Sequence, residues 1–344
     1  MTTPPVLYRR LGRSGLKISV PIIGAMSFGS PEWMPWVIDK EKALPLLKAA
    51  WDLGINTIDT ANVYSNGVSE RIIAEFIEKN NIPRHEIVIM TKCNALVPDD
   101  PSIMGMFHPE LKETAKYQNQ YGLSRASIFN AVDASLTRLN TSYIDLLQIH
   151  RFDPEVPAEE IMKALHDLVQ AGKVRYIGAS SMRTWQFSHL NHVAERNGWT
   201  KFVSMQNEYS LIYREEERDM NPYCHFEGIG LIPWAPVGGG LLTRPVSAQA
   251  STNRGESMKK WGLNNLSPRD EEIINRVEEI AKKKGWTMAQ VAIVWSASKV
   301  SSPIIGFNSI ERLKEALVSD KQLTEEERKY LEEPYVPKPV RGHQ

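Results

Sequence analysis

The chain has 344 residues, 42% hydrophobic and 24% charged, proportions of a globular protein with a large core rather than of a disordered or fibrous one. Its 41 Lys and Arg balance its 41 Asp and Glu, so no global charge draws it to nucleic acid or to an anionic membrane surface. Cys93 and Cys224 are too few for a disulfide framework, and neither an apolar leader nor an apolar run of about 18 residues is present. The expectation is a cytoplasmic protein with no membrane or nucleic-acid partner.

Residues 8–20 read as a hairpin turned at Gly12 to Gly15, and 21–26 as a buried strand leading into a loop with Trp33, Pro35 and Trp36. A helix from about Asp39 turns Leu46, Leu47, Ala50 and Leu53 inward and stops at Gly54; Pro45 inside it predicts a kink or a later start. Residues 54–70, GINTIDTANVYSNGVSE, send a short apolar strand into Asp59, then into a loop with Tyr64 and a Ser65-Asn66-Gly67 turn. A helix follows from near Ser69, with Ile72, Ile73, Phe76 and Ile77 at helical spacing. The unbroken apolar run 87–91 ends at Lys92 and suggests a strand covered on both faces, as in a parallel sheet.

Residues 94–123 hold Pro98, Pro101, Gly105, Pro109 and Gly122 and read as a long insertion loop. Ser124 then caps a helix, and strand 144–149 ends at His150. A helix runs from Pro157 to Gly172, and strand 174–179 ends at Ser180-Ser181. Thr184 caps a helix, strand 202–205 ends at Gln206-Asn207, and a helix over 215–226 leads to strand 230–233 and Trp234. A second long loop, 237–269, opens with Gly238-Gly239-Gly240. Helices from Ser267 and Thr287, strand 302–305 ending at Gly306, and a helix capped by Ser309 follow. The tail 319–344 holds a Thr324/Glu327 capping box and a Pro-rich end.

Eight strand–helix units in succession predict an α/β fold of the (β/α)8 TIM-barrel type, one barrel domain over 1–344. No G-x-G-x-x-G follows a strand, and no phosphate-binding Gly-Lys-Ser/Thr loop occurs. In a barrel all strand C-termini share one face, so Asp59, Tyr64, Lys92 and His150 meet at one mouth. A phenol is a weak acid at neutral pH, and an ammonium beside it stabilises the phenolate and lowers its pKa. A carboxylate would hold that ammonium charged, and an imidazole could orient a carbonyl oxygen. Trp234 offers a platform for a flat ring. The dull alternatives are a helix-capping Asp59, an Asp59–Lys92 ion pair that plugs the barrel, and a His150 that bonds backbone.

These stretches resemble the aldo-keto reductase family over almost the whole chain. GINTIDTANVYSNGVSE, IVIMTK and DLLQIHRFD resemble its catalytic Asp–Tyr, Lys and His segments. The resemblance implies Tyr64 as general acid/base, Lys92 paired with Asp59 as its tuner, His150 as carbonyl orienter, and NADPH/NADP+ as cofactor. It places Met26, Asp59, Ser180, Ser181, Gln206, Trp234, Ala235, Pro236, Val237 and Gly238 near the nicotinamide and pyrophosphate. Arg244 falls on the covering loop, and Gly306, Asn308, Arg312 and Glu315 match the adenosine-phosphate site. Ser181 stands where many members carry Asn, Gly306 where some carry Lys, and Ala316 where Asn is common. The tail and first insertion look most like fungal aryl-alcohol dehydrogenase and versiconal hemiacetal acetate reductase members.

Phe28, Trp33 and Trp36, on the loop after the first barrel strand, are candidates for a substrate pocket. The activity implied is reversible reduction of a small-molecule aldehyde or ketone by a monomer or homodimer. Two other readings compete: a Schiff-base aldolase using Lys92, and a non-catalytic NADPH-sensing subunit like the potassium-channel β subunits. No metal site is expected, because His189 and His192 lack a third ligand. Cys93 reads as a packed thiol.

Overall fold

The computed structural model of the chain describes residues 3–249 and 266–343; much of the second long loop and Trp261 lie outside them. Strands β1 (Leu7–Arg10) and β2 (Lys17–Val20) form the antiparallel hairpin, with Leu7 opposite Val20. Eight parallel strands follow: β3 (Ile22–Gly24), β4 (Thr57–Asp59), β5 (Val88–Cys93), β6 (Ile144–Ile149), β7 (Val174–Ser180), β8 (Ser204–Gln206), β9 (Gly230–Leu231) and β10 (Ile304–Ile305). Their order is β10-β3-β4-β5-β6-β7-β8-β9. The two outer strands meet as well, since the Ile304 N–H donates to the Pro233 carbonyl at 2.9 Å and the Ser301 N–H to the Leu231 carbonyl at 3.0 Å. With helices between successive strands, this is a (β/α)8 barrel.

The period of two along each strand sorts the barrel interior into layers. Met90 pairs with Leu146 in register, and one step higher Lys92 pairs with Gln148; Ser180 pairs with Gln206. The lower layer is oil: Ile22, Met90, Leu146, Ile232 and Ile304 pack with Leu11 and Ile18 of the hairpin, all buried. The hairpin therefore plugs the end opposite the strand C-termini, where the Arg13 N–H also bonds the Gly228 carbonyl at 2.7 Å. The upper layer is polar. A dry floor beneath polar side chains leaves one chemically competent end.

One local expectation is settled and two are corrected. Helix Lys40–Asp52 starts at its Asp39 cap, which accepts the Lys42 N–H at 3.1 Å, and runs through Pro45 rather than starting late. Arg183, not Thr184, is the residue before helix Thr184–Arg196; the Gln186 side chain takes the Arg183 N–H at 2.8 Å and leaves the buried Thr184 hydroxyl without a partner. The expected helix over 215–226 divides into a turn, Glu215–Glu217, and helix Met220–Glu227. The division leaves Pro222 in a first turn, where no N–H is needed.

The insertion 94–123 is a chain of short 3-10 turns, tied down where Asn66 Nδ2 donates to the Asp100 and Ile103 carbonyls at 2.7 Å each. Below it, fully buried Glu70 accepts from the Thr91 hydroxyl at 2.7 Å and from Arg138 Nε at 2.6 Å. One carboxylate thus joins helix Val68–Lys79, β5 and helix Arg125–Arg138. Glu70→Ala strands the Arg138 cation and should cost about 3 kcal/mol, measured as a lowered urea midpoint at unchanged slope.

Candidate active site

Lys92 reaches up from β5 into the barrel mouth, where its side chain is 0% exposed. Its Nζ donates to Asp59 Oδ2 at 2.6 Å, to the Thr60 carbonyl at 2.7 Å and to the Tyr64 hydroxyl oxygen at 3.3 Å. Three donors find three acceptors, which is what a buried ammonium needs. Asp59 Oδ1 accepts from Gln148 Nε2 at 3.0 Å and Gln206 Nε2 at 2.9 Å, and Gln206 also donates to Gln148 Oε1 at 2.9 Å. Asp59 is therefore no helix cap. The His150 ring stands edge-on to Tyr64, centroids 6.0 Å apart, and the Lys92 ammonium lies 4.9 Å from the Tyr64 ring centre.

The turn that presents Tyr64 is strained and clamped. Ser65 and Asn66 hold φ of 47° and 51°, and Gly67 holds 86°. A Cβ on Gly29 would stand 2.0 Å from Ser65 Oγ, so only glycine lets the loop after β3 come this close. In that gap Ser65 Oγ accepts the Ser30 N–H at 3.1 Å.

The electrostatics correct one expectation. Burial pushes the Tyr64 hydroxyl above its usual 10, and the opposing pull of Lys92 does not reverse it. The phenol is thus a firmly protonated donor, not a pre-formed phenolate. Burial acts to lower the Lys92 pKa, but Asp59 and then Tyr64 outweigh it, and the net shift is upward. Burial, helped by the cations Arg151 and Lys92, holds His150 well below its usual 6.5, so its imidazole is neutral at neutral pH. Burial also pushes the Cys93 thiol up to about 12, which makes it inert.

Beside this group lies a cavity of about 830 Å³ lined by Ala235, Pro236, Val237, Arg244, Gly306, Asn308, Arg312 and Glu315, among others. Lys42, Arg244 and Arg312 border it, and none of the three is ion-paired among the described residues. The Asn308 amide oxygen steadies Arg312 at 2.8 Å. Between cavity and tetrad stands a corner built from strand ends. The Trp234 indole N–H donates to Ser181 Oγ at 3.2 Å, Ser180 Oγ donates to the Gln206 carbonyl at 2.8 Å, and the Ser181 N–H donates to Asn207 Oδ1 at 3.1 Å. Gly238, at φ 59°, packs on Ile212 beneath the loop.

The pocket aromatics are redistributed. Phe28 is 0% exposed and packs edge-on against Phe307 at 6.0 Å, so it belongs to the core and not to a pocket wall. Trp33 is buried in a cluster with Met34, Val37, Ala61 and Tyr64, with Met26 against it. Trp36 lines the 830 Å³ cavity and also packs against the cluster that holds Tyr64.

Four contributions were not read from the sequence. Gln148 stands two residues before His150 on β6, and period-two alternation alone would have aimed it inward beside Lys92. Arg151 follows His150 directly. Asn207 passes its amide to Glu216 at 2.8 Å. The tail returns to the mouth: Glu216 bonds His343 Nε2 and Glu208 bonds Arg341 Nη2, each at 2.7 Å, while a Cβ on Gly342 would lie 3.7 Å from Ser181 Oγ and 3.9 Å from Trp234.

A parallel barrel whose mouth holds a phenol, an ammonium–carboxylate pair and an imidazole beside an elongated cationic cleft is the frame of an oxidoreductase of carbonyls and alcohols. Residues 22–335 match the aldo/keto reductase family, and the chain belongs to that family. It is 54% identical over 343 residues to the aldo-keto reductase dtxS3 of Metarhizium robertsii, covering 98% of this chain and 93% of the relative. It is 51% identical over 339 residues to the versiconal hemiacetal acetate reductase of Aspergillus parasiticus, covering 97% and 98%. A Saccharomyces cerevisiae relative bearing the words aryl-alcohol dehydrogenase AAD16 in its name is 49% identical over 333 residues, covering 95% and 96%. No helix among the described residues is long and apolar enough to cross a membrane.

The His150 shift has a consequence for stability. Above about pH 6.5 the imidazole is neutral in folded and unfolded chains alike. Below that the unfolded chain takes a proton that the folded site resists, so stability falls as the pH drops toward the lowered folded pKa. Urea midpoints followed from pH 8 to pH 5 should decline less steeply in His150→Asn than in the parent.

Proposed function

We propose that this protein reduces an aldehyde or ketone to an alcohol, reversibly, with NADPH. The observation that carries the reading is the Tyr64 hydroxyl, protonated and 3.3 Å from an ammonium that is itself locked to Asp59. NADPH, when bound, supplies the hydride. Tyr64 gives its proton to the carbonyl oxygen, and Lys92 then stabilises the phenolate left behind. Asp59 keeps Lys92 charged and in place, and Gln148 and Gln206 keep Asp59 from turning away. Neutral His150 donates a ring N–H to the carbonyl oxygen and aims it at the phenol. In the alcohol-to-carbonyl direction the same phenolate takes the proton back.

The cleft suits a dinucleotide. Lys42, Arg244 and Arg312 would meet phosphates, Ser180, Ser181 and Gln206 a carboxamide, and Trp234 a ring face. Arg312, fixed by Asn308, would favour a 2′-phosphate and hence NADPH over NADH. The upward shift of Lys92 disfavours the aldolase reading, because a Schiff-base lysine needs a free amine. The protein would work in the cytoplasm, as monomer or homodimer. The relatives' names put aryl aldehydes and hemiacetal esters first in a substrate panel.

Tyr64→Phe keeps the ring and removes the proton. It should lower NADPH-dependent carbonyl reduction by about 10² to 10⁴ while NADPH still quenches tryptophan fluorescence; turnover near the parent's would remove Tyr64 from its role. Arg312→Ala should raise the Kd of NADPH about tenfold or more and that of NADH far less, read by titration of both; equal losses would unseat the 2′-phosphate assignment.

A further inference from the structure

The four tetrad residues carry no net charge among themselves. Lys92 and Asp59 cancel each other, Tyr64 is protonated and His150 is neutral. Beside these four stands a further cation, the guanidinium of Arg151, the residue after His150. Arg151 is half-buried, yet no carboxylate lies within ion-pair distance of it among the described residues. Its Nη1 donates to the His150 carbonyl at 2.5 Å, and its remaining nitrogens are neither paired nor sealed from solvent.

The nearest acids are engaged elsewhere. Asp153, two residues on, accepts the Leu123 N–H at 2.8 Å on one oxygen and the Glu155 N–H at 3.1 Å on the other. Asp59 is taken by Lys92 and two glutamines. The backbone beside Arg151 is held in turn, with Asn94 Nδ2 donating to the Arg151 carbonyl at 3.4 Å. The cation is close enough to Tyr64 and His150 for its field to reach both groups. It is absent from the walls of the 830 Å³ cleft, whose own cations are Lys42, Arg244 and Arg312. The cofactor's phosphates therefore have other partners, and Arg151, anchored to the His150 carbonyl, stands beside the reacting groups.

A guanidinium partly withdrawn from water and left unpaired is costly unless a ligand completes it. Its planar fork of donors matches a carboxylate with two parallel hydrogen bonds. One guanidinium balances one negative charge, which suits a carboxylate rather than a phosphate dianion.

We infer that Arg151 is a specificity-determining residue that binds a carboxylate carried by the substrate, so that the preferred substrates are oxo acids rather than neutral carbonyl compounds. This rests on the carbonyl-reductase reading above. No proton or hydride passes through Arg151; it orients the substrate by its carboxylate.

Matched acid and ester pairs test it: benzoylformate against methyl benzoylformate, and 4-carboxybenzaldehyde against methyl 4-formylbenzoate, with glyceraldehyde 3-phosphate as the phosphate arm. With NADPH and the unmodified protein, at least one acid should exceed its ester by roughly thirtyfold or more in kcat/KM. Arg151→Met should erase that ratio, mainly through a raised KM for the acid. Arg151→Lys, which keeps the charge and loses the fork, should retain part of it. A purely structural role would depress acid and ester together. Esters reduced as well as acids by the unmodified protein, a ratio unmoved in Arg151→Met, or a preference for the phosphate would each overturn the inference and leave the reductase reading standing. No NADPH-dependent reduction of any carbonyl would overturn both.

Discussion

A lysine with no solvent-exposed side-chain surface, paired to an aspartate almost as deep, is the constraint on which the rest of this structure depends. Two opposite charges withdrawn from water lose several kcal/mol of solvation each, and attraction alone repays that only in good geometry with every remaining donor and acceptor matched. Here the matching is complete: three acceptors for the ammonium, and two amide donors for the second carboxylate oxygen. The partners come from β4, β5, β6 and β8 and from the loop after β4, so only a closed barrel in the observed register assembles them. The fold is the instrument that makes the ion pair tolerable. The ion pair in turn fixes the one lysine donor that the phenol receives.

The turn bearing Tyr64 is governed by neighbours of a different kind. Three successive residues in left-handed backbone would relax if left alone. The loop after β3 closes on Ser65 from one side, and the insertion 94–123 is hung on Asn66 from the other. The acid is thereby immobilised by the two segments that also border its surroundings. A shift in either would be felt at the hydroxyl.

Strand rhythm and helix caps were legible in the sequence because both are local: apolar runs of four to six residues, and Ser124, Ser267, Thr287 and Thr324 before helices. The tetrad positions were legible because a polar side chain at the end of an apolar strand has few reasons to be there. Gln148 was passed over although alternation aims it inward, since an amide inside IDLLQI shows no chemistry of its own until Asp59 stands beside it. Phe28, Trp33 and Trp36 have similar sequence surroundings, but Phe28 sits in the core, Trp33 in the tyrosine cluster and Trp36 between that cluster and the cleft, a distinction set only by tertiary packing. The direction of the Tyr64 shift was misjudged for the same reason. A neighbouring cation can be inferred from strand order, whereas the desolvation that outweighs it is a property of the packed mouth.

The Pro-rich end offered no periodicity, yet it is pinned by Tyr335 and Lys338 to Glu215, by Arg341 to Glu208 and by His343 to Glu216. This has a consequence in time rather than in space. A chain made from its N-terminus has laid down Ser181 and Trp234 long before residue 342 exists. The corner against which Gly342 packs must therefore wait, open to water, until residues 335–343 arrive, and the buried Glu208 and Glu216 wait with it for Arg341 and His343. A nascent chain interrupted shortly before residue 335 would carry all four tetrad residues beside an unfinished wall.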